Sequence, residues 1–269
     1  MFSNVLVTPT TIGKRKRMSR IFGTSDRAII VPVDDNLISQ NNIGLQNMPK
    51  KIRSIEMAKP NAILCYYGTA TLLSDYNIPT IINITASTVQ SHHTRKVLIS
   101  SVQQALAIDA AAVAVHINIS SEYESEMLEN LGVVAEACNN YGMPLLAIVY
   151  PRKEAEFGDE NYLQLREKNR DEYTSLIAHC VRIVFELGAD MIKTQYTGDS
   201  GSFSQVVAAA NNHPVFIAGG AMLEEQELYD MAKEAVAAGA AGVSIGRNVF
   251  NRVNSSEVID NLRKIVLVK

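Results

Sequence analysis

A lysine at the end of an apolar segment is the residue of this sequence best suited to covalent chemistry. Lys193 follows Met191 and Ile192 and precedes a polar stretch, Thr194-Gln195-Tyr196-Thr197-Gly198-Asp199. Burial disfavours the charged form of a lysine, so an amine in a dry pocket could attack a ketone and form an imine. The alternative is a structural ion pair with Asp34 or another acid, and Lys193 alone does not decide between the two.

Tyr150 and Asp34 also end apolar segments and carry groups that can move protons. The phenol of Tyr150 could transfer a proton at the hydroxyl beside a breaking bond, and the alternative is an ordinary aromatic at the rim of the fold. Asp34 could position substrate hydroxyls and relay protons during imine formation, or it could simply cap a loop. We expect Asp35 to point away from whatever Asp34 faces, because neighbouring strand residues alternate.

Two glycine-containing turns have the composition of a phosphate site. Gly219-Gly220 and Gly246-Arg247 each follow an apolar segment. Glycine lets backbone N–H groups approach phosphate oxygens, and arginine adds a forked cationic donor. The alternative is two tight turns and a surface arginine.

Eight apolar segments, each followed by a segment of helical periodicity, would position these residues. The apolar segments cover 28–35, 61–66, 79–84, 111–118, 144–150, 188–193, 213–220 and 241–246. The helical segments cover 14–22 before the first strand and then 46–58, 69–75, 96–108, 122–140, 161–186, 201–211, 224–238 and 255–266. Ser121 and Glu124 are spaced as a capping box at the start of 122–140. Pro32 counts against a central strand, but its neighbours are strongly β-forming.

This order predicts an α/β fold, a single (β/α)8 TIM barrel of one domain over residues 1–269, with a short N-terminal helical extension. A doubly wound open sheet is the alternative, but Asp34-Asp35-Asn36 stands where its glycine-rich loop would be. Barrels carry their chemistry at the C-terminal ends of the strands and often hold phosphate after strands seven and eight. The predicted catalytic residues are therefore Lys193, Tyr150 and Asp34, and the predicted phosphate-binding residues are Gly219, Gly220, Gly246 and Arg247.

Composition narrows the function further. The chain is 47% apolar with a net charge of −3, which argues against a nucleic-acid surface, and no apolar run has the length of a membrane span. Cys65, Cys138 and Cys180 fit neither a disulfide framework nor a zinc site, and no pair of histidines or cysteines has metal-ligand spacing. We therefore predict no metal, no other cofactor and a cytoplasmic location. His116 is interpreted as a satisfied core histidine, and the basic run 14–17 as a solvated face.

Several motifs resemble the archaeal-type class I fructose-bisphosphate aldolases, a group that includes aminodideoxyheptulosonate synthases and a thiolase of autoinducer-2 breakdown. The motifs are Ile192-Lys193-Thr194-x-Tyr196-Thr197-Gly198-Asp199, Ala218-Gly219-Gly220, Val243-x-Ile245-Gly246-Arg247-Asn248-Val249-Phe250, Gly142-Met143-Pro144-Leu145-Leu146-x-x-x-Tyr150-Pro151-Arg152 and Val115-His116-Ile117-Asn118. The resemblance implies a Schiff-base lysine at Lys193, a catalytic tyrosine at Tyr150, an aspartate at Asp34 and phosphate loops at Gly219, Gly220, Gly246 and Arg247. It also implies a small-molecule sugar phosphate as substrate, a place in carbohydrate metabolism such as glycolysis, and a homo-oligomer, commonly a decamer.

The sequence departs from that family after the first strand. Asp35-Asn36 stands where the family has histidine and glycine, and the region after Gly220 lacks the usual proline-lysine. A second acid in this loop could change the sugar phosphate that fits or disfavour a second phosphate. We expect a metal-independent aldolase acting on fructose 1,6-bisphosphate. The alternatives are an aminodideoxyheptulosonate synthase using aspartate semialdehyde, then a thiolase-type enzyme, then a non-catalytic sugar-phosphate-binding barrel.

Overall fold

The predicted barrel is confirmed in a computed structural model that describes residues 11–39, 42–156 and 159–268. Eight parallel strands close in chain order, with β8 hydrogen-bonded to β1. They are β1 Ala28–Pro32, β2 Ala62–Cys65, β3 Thr80–Asn83, β4 Ala112–Ile119, β5 Leu145–Pro151, β6 Met191–Thr194, β7 Val215–Ala218 and β8 Gly242–Ser244. Pro32 is the last residue of β1, and Leu64 of β2 is its partner in the register.

Closure of the barrel depends on a close approach between its first and last strands. Ala28 of β1 is in register with Gly242 of β8. Gly242 has a φ of +130°, and a Cβ at this position would lie 1.9 Å from the carbonyl oxygen of Ala28. Only glycine combines this conformation with this separation, so the residue type permits the β8–β1 seam.

Helices surround the barrel, and most of them bury apolar faces against its outer surface, whereas the N-terminal helix packs against the end of the barrel interior. They are α1 Ile12–Phe22, α2 Met48–Met57, α3 Tyr67–Ala70, α4 Val102–Ala107, α5 Glu124–Tyr141, α6 Leu163–Lys168, α7 Arg170–Glu186, α8 Ser200–Ala209, α9 Glu225–Ala237, α10 Arg247–Phe250 and α11 Ser255–Val266. Short 3₁₀ turns cover Asp35–Leu37, Ile43–Leu45 and Thr71–Leu73. Among the described helices none is long and apolar enough to cross a membrane.

The helices predicted over 161–186 and 96–108 have different bounds in the structure. The helix predicted over 161–186 is two helices, because the Asn169 side chain caps α7 by accepting from the N–H of Glu172. The helix predicted over 96–108 is only α4, preceded by a two-residue strand, Val97–Leu98, that pairs with Thr85–Ala86. A second small ribbon joins Lys153–Glu154 to Asp159–Glu160.

The capping box predicted at Ser121 is wrong. Helix α5 begins at Glu124 with Tyr123 as its N-cap. The Ser121 hydroxyl instead donates to Oε1 of Glu154, 2.8 Å away, and it accepts from the N–H of Tyr123.

The N-terminal helix α1 covers the N-terminal end of the barrel. Met18, Ile21 and Phe22 pack into the barrel interior, and the rings of Phe22 and Phe216 are 6.0 Å apart. The interpretation of 14–17 as a solvated face is wrong for Lys14, which is only 2% exposed. Its Nζ lies 2.8 Å from the Asp190 carboxylate, which compensates the charge of the buried Lys14.

Candidate active site

Strand periodicity brings the predicted catalytic residues to the C-terminal mouth of the barrel. Inward-facing positions alternate along β4, β5 and β6. They are Ala112, Ala114 and then His116 on β4, Leu146, Ile148 and then Tyr150 on β5, and Met191 and then Lys193 on β6. Ile148 is in register with both His116 and Lys193, so these two side chains lie at the same height in the barrel.

Lys193 is a buried amine without a structural ion pair. Its side chain is 8% exposed, and within the described part of the chain it has neither a hydrogen bond nor a salt bridge. Burial lowers the pKa of Lys193, while the carboxylates of Asp34 and Asp35 oppose that decrease. A lower pKa increases the fraction of free amine at neutral pH, which is the nucleophilic form.

Asp34 lies just beyond the end of β1 and is held in place by a neighbouring strand. The Nδ2 of Asn83, at the end of β3, donates to Oδ2 of Asp34 over 2.7 Å. Burial raises the pKa of Asp34, and the nearby Lys193 and the Asn83 hydrogen bond oppose that increase. A carboxyl group whose pKa is raised holds its proton more readily and can exchange it with substrate.

Asp35 begins a 3₁₀ turn, so the alternation of a strand does not apply to it. Its charge also contributes to the pKa of Lys193. The expectation that Asp35 points away from whatever Asp34 faces assumed a strand at this position, and the chain forms a 3₁₀ turn there instead.

Tyr150 is packed between a histidine and an arginine. Its ring lies 5.1 Å from that of His116 at 87°, and the Arg152 guanidinium carbon is 5.9 Å from its centroid. Burial raises the pKa of Tyr150, Arg152 opposes the increase, and Asp34 adds to it. Without substrate, the side chain of Tyr150 is therefore a neutral phenol, which can donate a proton.

His116 belongs to this site and is not a satisfied core histidine. Its Nε2 is shielded from solvent and has no hydrogen-bond partner among the described residues. Burial, with Lys96 and Arg152 nearby, lowers its pKa well below the usual value, so the ring is neutral. Its inward parity with Ala112 and Ala114 was the sequence signal that could have placed it in the site.

The two glycine turns lie next to each other because Asn248 joins them. Its Nδ2 donates to the carbonyl oxygens of Gly219 and Ala221, at 3.0 and 2.7 Å, and its Oδ1 accepts from the N–H of Leu223. A Cβ at Gly219 would lie 2.8 Å from Cγ2 of Ile245, so the two loops are in close contact.

Gly220 and Arg247 have the conformation and the exposure that contact with a ligand would need. Gly220 has a φ of +64° with open space around it. Arg247 begins the short helix α10, directly after Gly246, and its side chain is exposed. The Arg247 charge contributes to lowering the pKa of Lys193, which places this cation near the amine.

A group of basic residues on the loop between β3 and α4 was not singled out from the sequence. Lys96 is 4% exposed, and its Nζ donates to Oγ of Ser87 and to Nδ1 of His93. This group could not be recognised from the sequence, because only the folded chain brings the loop close to His116. Within the described ranges, no group of three or more histidine, cysteine or acidic side chains could hold a metal ion.

Comparisons with known proteins identify the family and relatives of this chain. Residues 28–252 match the model of a family described as DeoC/LacD family aldolase. The 2-amino-3,7-dideoxy-D-threo-hept-6-ulosonate synthase 1 of Archaeoglobus fulgidus is 35% identical over 259 residues, 95% of this chain and 91% of the relative. The 2-amino-4,5-dihydroxy-6-oxo-7-(phosphonooxy)heptanoate synthase of Streptomyces griseus is 29% identical over 245 residues, 90% of this chain and 85% of the relative.

A solved aldolase structure is similar to this fold over nearly the whole chain. It is an archaeal fructose-1,6-bisphosphate aldolase with the catalytic lysine covalently bound to the carbinolamine intermediate of its substrate. That structure superposes with a TM-score of 0.81 at 25% identity and covers 93% of this chain and 98% of its own. The chain belongs to the DeoC/LacD family of aldolases and is a class I aldolase, a carbon–carbon lyase.

Proposed function

We propose that Lys193 forms a Schiff base with the ketone of a phosphorylated ketose, assisted by Tyr150 and Asp34. The observation that carries the proposal is a buried amine with a lowered pKa and no ion pair among the described residues, at the same height in the barrel as His116, whose ring contacts that of Tyr150. A purely structural lysine would need a partner to offset the cost of burial.

The proposed chemistry proceeds through an iminium ion. The Lys193 amine adds to the ketone carbon, and the resulting carbinolamine loses water with Asp34 as the proton relay. In the cleavage direction, the phenolate form of Tyr150 accepts the proton of the hydroxyl beyond the breaking carbon–carbon bond. The electrons of that bond pass to the iminium to give an enamine, and Tyr150 is left as a phenol that can return the proton. Protonation of the enamine and hydrolysis of the imine then release the ketone fragment and free Lys193.

The ketose phosphate would bind at the two glycine turns. Gly219, Gly220 and Gly246 allow backbone N–H groups to approach oxygen atoms, and Arg247 supplies a guanidinium that is exposed at the mouth of the barrel. The close contact between the loops, which Asn248 maintains, supports a single site formed by both.

Two overall reactions fit this site. Cleavage of fructose 1,6-bisphosphate is supported by the archaeal aldolase structure. Transfer of the ketone fragment to an amino-acid aldehyde, as in an aminodideoxyheptulosonate synthase, is supported by the higher identity to the A. fulgidus synthase. The raised pKa of Tyr150 also favours bond formation, because a neutral phenol can protonate the oxygen of the incoming aldehyde.

The loop after β1 favours the second reaction. The name of the S. griseus relative describes a seven-carbon product with an amino group on carbon 2, a ketone on carbon 6 and a phosphate on carbon 7. A bond between carbons 4 and 5 of such a product joins a three-carbon ketone phosphate to a four-carbon amino-acid aldehyde. Asp35, next to Asp34, would attract an ammonium group and repel a second phosphate.

Borohydride reduction in the presence of dihydroxyacetone phosphate tests the proposal. We expect one adduct, on Lys193 by mass spectrometry of peptides, and no adduct in Lys193→Met. Cleavage of fructose 1,6-bisphosphate and transfer to aspartate semialdehyde, measured in parallel, would separate the two reactions. An adduct on a different lysine, or full activity in Lys193→Met, would refute the assignment.

A further inference from the structure

The loop between β3 and α4 carries a basic group that the proposed reaction does not yet use. Nζ of Lys96 lies 2.5 Å from Oγ of Ser87 and 3.1 Å from Nδ1 of His93, and Ser87 Oγ lies 3.1 Å from the same Nδ1. The three side chains form a closed triangle. Lys96 is 4% exposed, so its ammonium group is held firmly within the fold.

The triangle fixes the proton on the other nitrogen of His93. Because Lys96 can only donate, Nδ1 of His93 must accept, and the neutral ring then carries its hydrogen on Nε2. Burial, with the Lys96, Arg152 and Arg247 charges nearby, lowers the pKa of His93 to about 3, so the ring stays neutral across the physiological range. His93 is therefore a fixed N–H donor beside a buried cation.

This loop is joined to the reacting site through β4 and β5. Nδ2 of Asn118, on β4, donates to the carbonyl oxygen of Thr94 over 2.7 Å, which holds the loop against the strand. On the inner surface of the same strand, His116 contacts Tyr150. Arg152 comes directly after the end of β5, two residues beyond Tyr150, and its guanidinium lies over the Tyr150 ring. The charges of Lys96 and Arg152 lower the pKa of both His93 and His116, so this basic group lies near the His116–Tyr150 side of the mouth.

The loop that carries this group and the β7 glycine turn leave the barrel at opposite points of its mouth, and the Arg247 charge is close enough to lower the pKa of His93. The strands close in chain order, so β3 lies opposite β7 across the mouth. One anionic group at the β7 and β8 turns and a second at the β3 loop would therefore lie on opposite sides of Lys193 and Tyr150. A substrate with an anion at each end could span the mouth with its reacting bond between them.

We propose that His93, Lys96 and Arg152 form a second anion subsite, which binds the oxyanion group at the far end of the aldehyde half of the substrate. The subsite rests on the proposed function, because it assigns the aldehyde a place relative to Tyr150. Its ligand is a carboxylate or a phosphate, both of which accept several charge-assisted hydrogen bonds. In this subsite the positive charge of Lys96 attracts the anion, and the Nε2–H of His93 donates a hydrogen bond that orients it.

The test uses Lys96→Met and His93→Leu, with Arg95→Met as the matched control. Arg95 lies on the same loop but is exposed and pairs with Glu126 over 2.9 Å, outside the proposed subsite. Additions of dihydroxyacetone phosphate to glyceraldehyde 3-phosphate, to aspartate semialdehyde and to uncharged glyceraldehyde are compared. We expect each subsite variant to raise KM for the preferred anionic aldehyde by about ten- to a hundredfold, with little change for glyceraldehyde.

The borohydride adduct provides a readout that does not depend on the aldehyde. Dihydroxyacetone phosphate reduced onto Lys193 occupies the glycine turns, so any inorganic phosphate bound by the adduct must occupy another site. We expect calorimetry to detect one bound phosphate in the wild-type and Arg95→Met adducts and none in the His93→Leu adduct. If Lys96→Met does not fold, His93→Leu carries the test in both assays.

The outcomes separate the two proposals. Equal losses with charged and uncharged aldehydes, or loss of the adduct itself in His93→Leu, would overturn the subsite and assign the triangle a structural role. A wild-type adduct that binds no inorganic phosphate would also overturn it. The absence of any wild-type adduct on Lys193 would instead refute the proposed function.

Discussion

The buried ion pair at the base of the barrel allows a stability prediction with a calculable size. Lys14, on α1, donates to Oδ1 of Asn139 over 2.7 Å and lies 2.8 Å from the carboxylate of Asp190. Asp190 precedes β6, and its Oδ2 also accepts the N–H of Leu145 at the start of β5. One cation therefore joins the N-terminal extension to α5 and to the strand that carries Lys193.

Substitution Lys14→Met removes the cation and leaves the Asp190 carboxylate without its counter-charge. Removing one partner of a buried pair costs roughly 3–5 kcal/mol. Asp190 is 14% exposed and keeps the Leu145 N–H, so we expect the lower end of this range. A loss of about 3 kcal/mol should lower the Tm by about 10 °C in a protein of this size.

Arg20→Met is the matched control, because Arg20 lies on the same helix and pairs with Asp109 on the surface. An exposed pair of this kind contributes less than about 1 kcal/mol. Urea unfolding followed by circular dichroism would measure both variants. The double variant Lys14→Met/Asp190→Asn should recover part of the loss, because it removes the uncompensated charge. If Lys14→Met and Arg20→Met differ by less than about 1 kcal/mol, the ion-pair reasoning is wrong.

Two further predictions concern the reaction. Tyr150→Phe should lower kcat by about 10²- to 10⁴-fold, the usual contribution of a positioned acid–base group, while borohydride still traps Lys193; loss of trapping would mean that Tyr150 acts on imine formation instead. Asp34→Asn removes a carboxylate that opposes the decrease in the pKa of Lys193, so that pKa should fall further. Since the free amine is the reactive form, the rising acid limb of the kcat/KM profile should move to lower pH in whatever activity remains, and a shift to higher pH would contradict the proposed electrostatics.

The barrel was predictable because its strands are buried on both faces and read as continuous apolar runs. Eight such runs in alternation with helical periodicity leave few other arrangements. Asn169 divides a predicted helix through a side-chain cap, and Ser121 bonds to Glu154 instead of capping its own helix. Such choices depend on partners 3 to 33 residues away, which local periodicity does not reveal.

Parts of the candidate site were predictable for the same reason. Lys193, Tyr150 and the two glycine turns each end a strand, and parallel strands bring their ends to one face. The inward parity of His116 can be read from the sequence, but the missing partner of its Nε2 cannot, because it depends on neighbours from other strands. It also could not find Lys96, whose contacts arise when the loop after β3 folds back on itself.

Residue type and order along the chain determined the barrel, the inward parity of Lys193 and the chemistry available at the strand ends. Burial and charge were decided only by the tertiary structure. It removed Lys14 from solvent and paired it with Asp190, and it left Lys193 buried without a pair. The two lysines have the same intrinsic chemistry, and the difference between them comes from the carboxylates and the solvent that the fold places around each amine.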